Sequence, residues 1–176
     1  MTMTSTPKTL LDLIAGGEPN HPAIIVPDGP VVTYEALRSQ VAELAAQLEA
    51  AGISGGDRVA IVLPNGIEMI VSFLAVASIA TAAPLNPAYK ADEFDFYLGD
   101  TGAKALITSD SAGEEARAAL DSFPDGAMRT ALAESVEFAV RRGLRQQRHR
   151  RDRNAQKLRR RLPAVRRDER RVLHRR

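Results

Sequence analysis

Asp57-Arg-Val-Ala-Ile-Val-Leu-Pro-Asn-Gly-Ile-Glu-Met-Ile-Val-Ser-Phe-Leu-Ala-Val-Ala-Ser-Ile79 is the stretch that decides the fold. Val59–Leu63 is a continuous apolar run, the pattern of a strand buried on both faces, and Pro64-Asn65-Gly66 stops it. Ile67–Ile79 follows and is apolar nearly all round, which predicts a helix buried on most sides. A strand feeding a buried helix, with no tight hairpin between, is the opening of a crossover to a parallel strand.

Reading outward from this unit repeats the alternation. Downstream, Ala82-Ala-Pro-Leu85 is a short strand and Asp92–Gly99 a helix with Phe94 and Leu98 on one face. Ala105-Leu-Ile-Thr108 is the next strand, and Glu114–Leu120 a polar, Ala-rich helix. Upstream, Ser54-Gly-Gly-Asp57 is a turn. Before it, Leu37, Val41, Leu44 and Leu48 recur at helical spacing and predict one buried stripe. Thr33 is placed to cap that helix, Glu35 lies in its first turn, and Gly52 is placed to end it. Ala23-Ile-Ile-Val26 is a β-rich run closed by the turn cluster Pro27-Asp-Gly-Pro30, and Leu10–Ile14 is a short apolar run stopped by Gly16-Gly17. Uncharged strands alternating with helices define an α/β fold with a mostly parallel sheet. About 120 residues bury a core only if the sheet is complete, because a half-sheet leaves an apolar edge exposed.

The chain of 176 residues has a formal charge of +2, and that total hides two opposite halves. Residues 1–140 carry 7 Lys/Arg against 19 Asp/Glu, a net of −12, whereas residues 141–176 carry 17 against 3, a net of +14. From Arg141 onward apolar residues are few and no aromatic occurs, so this segment cannot bury enough surface to offset the entropy of ordering it. It is expected to be disordered or a non-packing helix, with the highest helix propensity over Ala133–Leu162. Three readings of Arg141–Arg176 stand. It is the out-of-frame translation of a GC-rich gene, since most arginine codons begin with CG. It is a solvated basic tail. Or it is an arm that binds nucleic acid through phosphate neutralisation.

Composition removes several chemistries. With no Cys there is no disulfide framework, thiolate zinc site or Cys nucleophile. His21, His149 and His174 lack ligand spacing. Met69–Tyr89 is 21 residues without a charge, near the length of about 20 that a spanning helix needs. Its Ala, Ser and Thr content and the breakers Pro84 and Pro87 favour a buried helix, a strand and a turn instead, so no membrane is expected. The polar stretch Met1–Lys8 is not a secretory signal, and a cytoplasmic location is expected.

The motifs that suggest chemistry read as structure. Gly99-Asp-Thr-Gly-Ala-Lys104 has the wrong spacing for a phosphate loop and no Ser/Thr after the Lys, so it is expected to be a helix end entering a strand. Gly16-Gly17 and Gly55-Gly56 are turn glycines, and Asp92, Glu93 and Asp95 are the solvated first turn of a helix.

In order and spacing, residues 10–108 resemble the start of the adenylate-forming synthetases, the family of acyl-CoA synthetases, aryl-CoA ligases, luciferases and amino-acid adenylation domains. The matching pieces are Val32-Thr-Tyr-Glu-Ala-Leu37, Leu48–Gly52, Gly55-Gly-Asp-Arg-Val-Ala-Ile61, Leu63-Pro-Asn-Gly-Ile-Glu68 and Phe73-Leu-Ala75. They continue with Ala83-Pro-Leu-Asn-Pro-Ala-Tyr89, Glu93-Phe-Asp-Phe-Tyr-Leu98 and Gly102-Ala-Lys-Ala-Leu-Ile-Thr108. The Ala83–Tyr89 and Glu93–Leu98 pieces are most similar to the oxalyl-CoA and fatty-acyl-CoA synthetase branches. The resemblance implies the first βα units of the family's large N-terminal domain over residues 8–125, with residues 126–176 as an Arg-rich tail. It also implies ATP, Mg and coenzyme A chemistry for the intact family: a carboxylate attacks the α-phosphorus of Mg·ATP, and the CoA thiol then displaces AMP.

The resemblance stops near Leu120–Gly126. The family's phosphate loop, its adenine, magnesium and ribose motifs, its hinge and its C-terminal domain with the catalytic Lys have no counterpart in this chain. No catalytic, cofactor-binding or metal-binding residue is therefore carried over, and no cofactor is expected on this chain. It is read as a truncated, frameshifted and inactive member of the family. The alternative is a non-catalytic α/β module whose Arg141–Arg176 segment binds nucleic acid. A third reading is association with an intact synthetase.

Overall fold

The structure is a computed structural model that describes residues 7–109 and 113–120. The chain divides into two units, Met1–Leu144 and Arg145–Arg176, and every described residue belongs to the first. The expectations for Ala133–Leu162 and Arg141–Arg176 fall outside the described residues.

The elements run α1 (Leu10–Ala15), β1 (Pro22–Ile25), β2 (Val31–Thr33), α2 (Tyr34–Ala50), β3 (Arg58–Val62), α3 (Ile67–Ile79), β4 (Thr81–Pro84), α4 (Ala91–Thr101), β5 (Ala105–Thr108) and α5 (Glu114–Leu120). β1 and β2 pair antiparallel as a hairpin. The other three strands form a parallel sheet in the order β4-β3-β5. The central strand pairs Arg58 with Thr81 on one side and Val59 with Ala105 on the other.

The apolar run of β3 is divided between two layers. Val59 and Ile61 face the same side as Ala105 and Ile107, against Leu37, Val41, Leu44 and Leu48 of α2 and Val71, Ala75 and Val76 of α3. Ala60, Val62 and Leu106 face the other side, against Phe94 and Leu98 of α4 and Ala116 and Ala119 of α5. Helices on both faces are why β3 reads as a continuous apolar run and not as an alternation. Because β4 and β5 lie on opposite sides of β3, the helices leaving β3 and β4 cover opposite faces of the sheet.

The caps follow the sequence. Thr33 Oγ1 accepts from the Ala36 amide at 3.3 Å, and α2 ends one residue before Ala51, with Gly52 at φ 86°. At α1 the Thr9 side chain accepts from the Asp12 amide while the Asp12 carboxylate accepts from the Thr9 amide, a reciprocal cap. Arg38 holds the end of α1, its guanidinium donating to the carbonyls of Ile14 at 2.9 Å and Gly17 at 3.0 Å.

One expectation needs correction. α3 is not buried on most sides: Ile67, Val71, Ser72, Ala75 and Val76 are buried, while Met69, Phe73 and Leu74 are half-buried and Ile70 is exposed. Besides the sheet and α2, α3 also meets α1. The run Leu10–Ile14 is a helix that buries none of its residues fully, with Leu10, Leu11 and Leu13 exposed.

Leu44→Ala removes a fully buried side chain from the α2 stripe and is expected to lower stability by about 2–5 kcal/mol in urea unfolding. Phe96→Ala, at a side chain 65% exposed, is expected to shift it by less than about 0.5 kcal/mol. Equal shifts would mean that α2 does not pack on the sheet.

Candidate functional site

In open parallel sheets ligands bind beyond the carboxyl ends of the strands, where successive crossovers diverge to opposite faces. Here that rim is built from Leu63-Pro-Asn-Gly66 after β3, Leu85-Asn-Pro-Ala-Tyr89 after β4, and Ser109 after β5.

Each loop has a local reason for its shape. Gly66 precedes α3 without a side-chain cap, and Glu68 occupies the first turn, where its carboxylate complements the positive helix end. In the second loop Asn86 Oδ1 accepts from the Ala88 amide at 3.0 Å, and the Asn86 carbonyl accepts from the Tyr89 amide at 3.1 Å. This turn places the Tyr89 ring on Tyr97 at 5.1 Å, nearly parallel, and edge-on to Phe94 at 5.8 Å. The hydrogen bond to Tyr97 raises the Tyr89 phenol above its ordinary range. Glu93 Oε2 accepts from the Lys90 amide at 2.9 Å and fixes the start of α4.

After β5, Thr108 is fully buried and its hydroxyl has no hydrogen-bond partner. A Cβ at Gly113 would collide with that hydroxyl, so only glycine fits at this position beside Thr108. Arg117 Nη1 donates to the Ser109 carbonyl at 3.2 Å.

The opposite, amino end of the sheet holds a clamp. Lys104 Nζ lies 2.9 Å from Asp57 Oδ2 and donates to the Gly52 carbonyl at 2.8 Å. Asp57 Oδ2 also accepts from the Ser54 amide at 2.8 Å and the Ser54 hydroxyl at 3.0 Å. The Lys104 contact first, and the Ser54 amide next, hold the Asp57 carboxyl below its ordinary range. The clamp ties the end of α2, the start of β3 and the start of β5.

The sequence offers no expected catalytic, cofactor-binding or metal-binding residue. Its structural readings of the decoys hold. Gly102 ends α4 in the left-handed region at φ 56°, and Lys104, two residues on, serves the clamp and not a phosphate. Asp92, Glu93 and Asp95 lie exposed in the first turns of α4. No group of three acidic or His side chains able to hold a metal ion occurs among the described residues, and no described helix is long and apolar enough to cross a membrane. Sequence reading missed the Thr108–Gly113 approach, the Tyr89–Tyr97 stack and the Asp57–Lys104 clamp. For the clamp, the signal present was the unexplained Lys104 entering a strand.

The fold and rim define the opening βα units of a larger doubly wound domain, a scaffold with its sheet begun. The family model described as AMP-binding enzyme matches residues 11–168, and the chain belongs to that family. It is 49% identical over 98 residues to the protein named "Probable CoA ligase CCL9" from Humulus lupulus, covering 55% of this chain and 19% of that one. It is 41% identical over 112 residues to an oxalate–CoA ligase from Arabidopsis thaliana, covering 62% and 22%. Among solved structures it resembles apo MatB from Rhodopseudomonas palustris, with a TM-score of 0.56 and 28% identity over 63% of this chain and 22% of that one. The chain thus spans about a fifth of the length of these relatives. The family match runs on beyond Leu120–Gly126, where the recognisable motifs end.

Since the Asp57 carboxyl is lowered by folding, its contribution to stability is complete above the ordinary carboxylate range and is lost as pH falls through the lowered value. Asp57→Asn is expected to remove that acid-dependent loss from a series of thermal unfolding curves taken from neutral pH down to about pH 2. An unchanged pH profile would mean that the clamp does not form in solution.

Proposed function

We infer that this chain is a scaffold portion of an ATP- and CoA-dependent acid–thiol ligase and that alone it turns over no substrate. The observation that carries the reading is the 41% identity to an oxalate–CoA ligase over a stretch made of sheet and covering helices. In the intact family a carboxylate displaces pyrophosphate from Mg·ATP, and the CoA thiol then releases AMP. Such chemistry rests on positioning and on stabilising charge at phosphate oxygens. The residues of this chain serve it indirectly. β3 and its helices hold the rim loops in place, and the Asn86 turn orders the entry to α4.

The ligase portion ends near residue 125 in this reading, residues 126–176 arise from a change of frame in a GC-rich gene, and the compartment is the cytoplasm, in keeping with a chain that has no Cys. The branch is that of oxalate or fatty-acid ligases. Purified chain given ATP, magnesium, CoA and a panel including oxalate and a long-chain fatty acid is expected to release AMP at the blank rate. Release above it with any acid overturns the reading.

A second reading is favoured by the charge of residues 141–176, 17 Lys/Arg against 3 Asp/Glu. A segment of that charge binds nucleic acid with log K falling steeply in log salt. A salt series on a duplex and a single strand, with and without residues 141–176, tests it. Binding that is absent, salt-insensitive or kept after the deletion removes it.

A further inference from the structure

The corner where β4 leads into α4 holds two phenols in one arrangement. Tyr89 closes the Asn86 turn, and Tyr97 stands two turns into α4. Their rings lie 5.1 Å apart with planes 17° from parallel, and the hydroxyls share a hydrogen bond. Phe94 meets the Tyr89 ring edge-on at 5.8 Å, and Phe96 meets the Tyr97 ring edge-on at 5.3 Å. Each phenol is thus held by a second ring as well as by its partner. Both tyrosines are half-buried, so each keeps part of its surface in solvent.

Two near-parallel phenols joined through their oxygens bring the ring carbons beside those oxygens close together. These carbons carry much of the unpaired electron of a phenoxyl radical. Composition directs oxidation to them. The chain has no Cys and no Trp, so its three tyrosines are the side chains that a one-electron oxidant takes first. The third, Tyr34, opens α2, whose buried stripe packs on the opposite face of the sheet from α4. Its ring lies beside Gly17, where a Cβ would collide with it.

We propose that Tyr89 and Tyr97 are a site of oxidative modification, coupling to dityrosine under a peroxidase-type one-electron oxidant with hydrogen peroxide as the terminal electron acceptor. Each phenol gives up one electron and its hydroxyl proton. The two phenoxyl radicals then pair as a carbon–carbon bond between the ring positions beside the oxygens. Each joined carbon loses its proton and each oxygen takes one up, which restores both aromatic rings. The pair loses two hydrogen atoms in all, and these reduce one hydrogen peroxide to two waters. Coupling is favoured because the reacting rings are already side by side. The new bond closes the chain from Tyr89 to Tyr97 into a ring, ties the loop after β4 to the body of α4, and stiffens that part of the rim.

The test treats the full 176-residue chain with a haem peroxidase and hydrogen peroxide, isolates the monomer on a denaturing gel and digests it with trypsin. Cleavage after Arg58, Lys90 and Lys104 puts Tyr89 in Val59–Lys90 and Tyr97 in Ala91–Lys104. The expected product in mass spectrometry is these two peptides joined, lighter than their sum by two hydrogen atoms. Its yield is expected to exceed that of any pair containing Tyr34 by about tenfold. The same treatment in urea is expected to cut that yield about tenfold, because folded geometry and not nearness in sequence drives the coupling. No joined peptide, a yield kept in urea, a main product through Tyr34, or coupling found only between chains each overturns the proposal.

Discussion

Everything described here depends on β3 being paired on both sides and covered on both faces. A strand in that position can carry no charge and no proline, and Val59–Val62 carries neither, with each residue fully buried. Its neighbours inherit the constraint. The register with β4 and β5 determines which side chains join the α2–α3 layer and which join the α4–α5 layer. A slip of one residue would exchange the two sets.

The clamp at the amino end and the rim at the carboxyl end divide the labour. Asp57 precedes β3 and Lys104 precedes β5, so their contact fixes the entry of two adjacent strands. At the other end the loops are ordered by their own turns, which leaves their outer surfaces for whatever the larger fold brings. The polar side chains most deeply buried without a partner are Gln40, Ser72 and Thr108, one on each of α2, α3 and β5. A buried hydroxyl or amide without a partner is tolerated only where the surrounding packing is strong.

Local signals made most of the fold legible. The stripe of α2, the cap at Thr33 and the uninterrupted β3 each have a single physical cause that acts within a few residues. The run at Ile67 misled because apolar content reports a wish for burial and not whether a partner surface exists on every side. The β1–β2 pairing was not read, since it depends on the Pro27–Pro30 turn bringing Ile25 opposite Val31. The rim was legible as loops but not as contacts. The Tyr89–Tyr97 stack joins residues eight apart across a turn and a helix start, and the Thr108–Gly113 approach joins residues five apart.

The stacked tyrosines have an optical consequence. The chain has no Trp and only three Tyr, so its near-ultraviolet emission comes from Tyr34, Tyr89 and Tyr97. Two of these lie face to face with a shared hydrogen bond, close enough for excitation to pass between them and for one phenol to resist ionisation at high pH. The junction between β4 and α4 is thus a built-in spectroscopic reporter. Loss of polarised emission and a shift in the tyrosinate titration register whether that corner of the sheet is intact, with no label added.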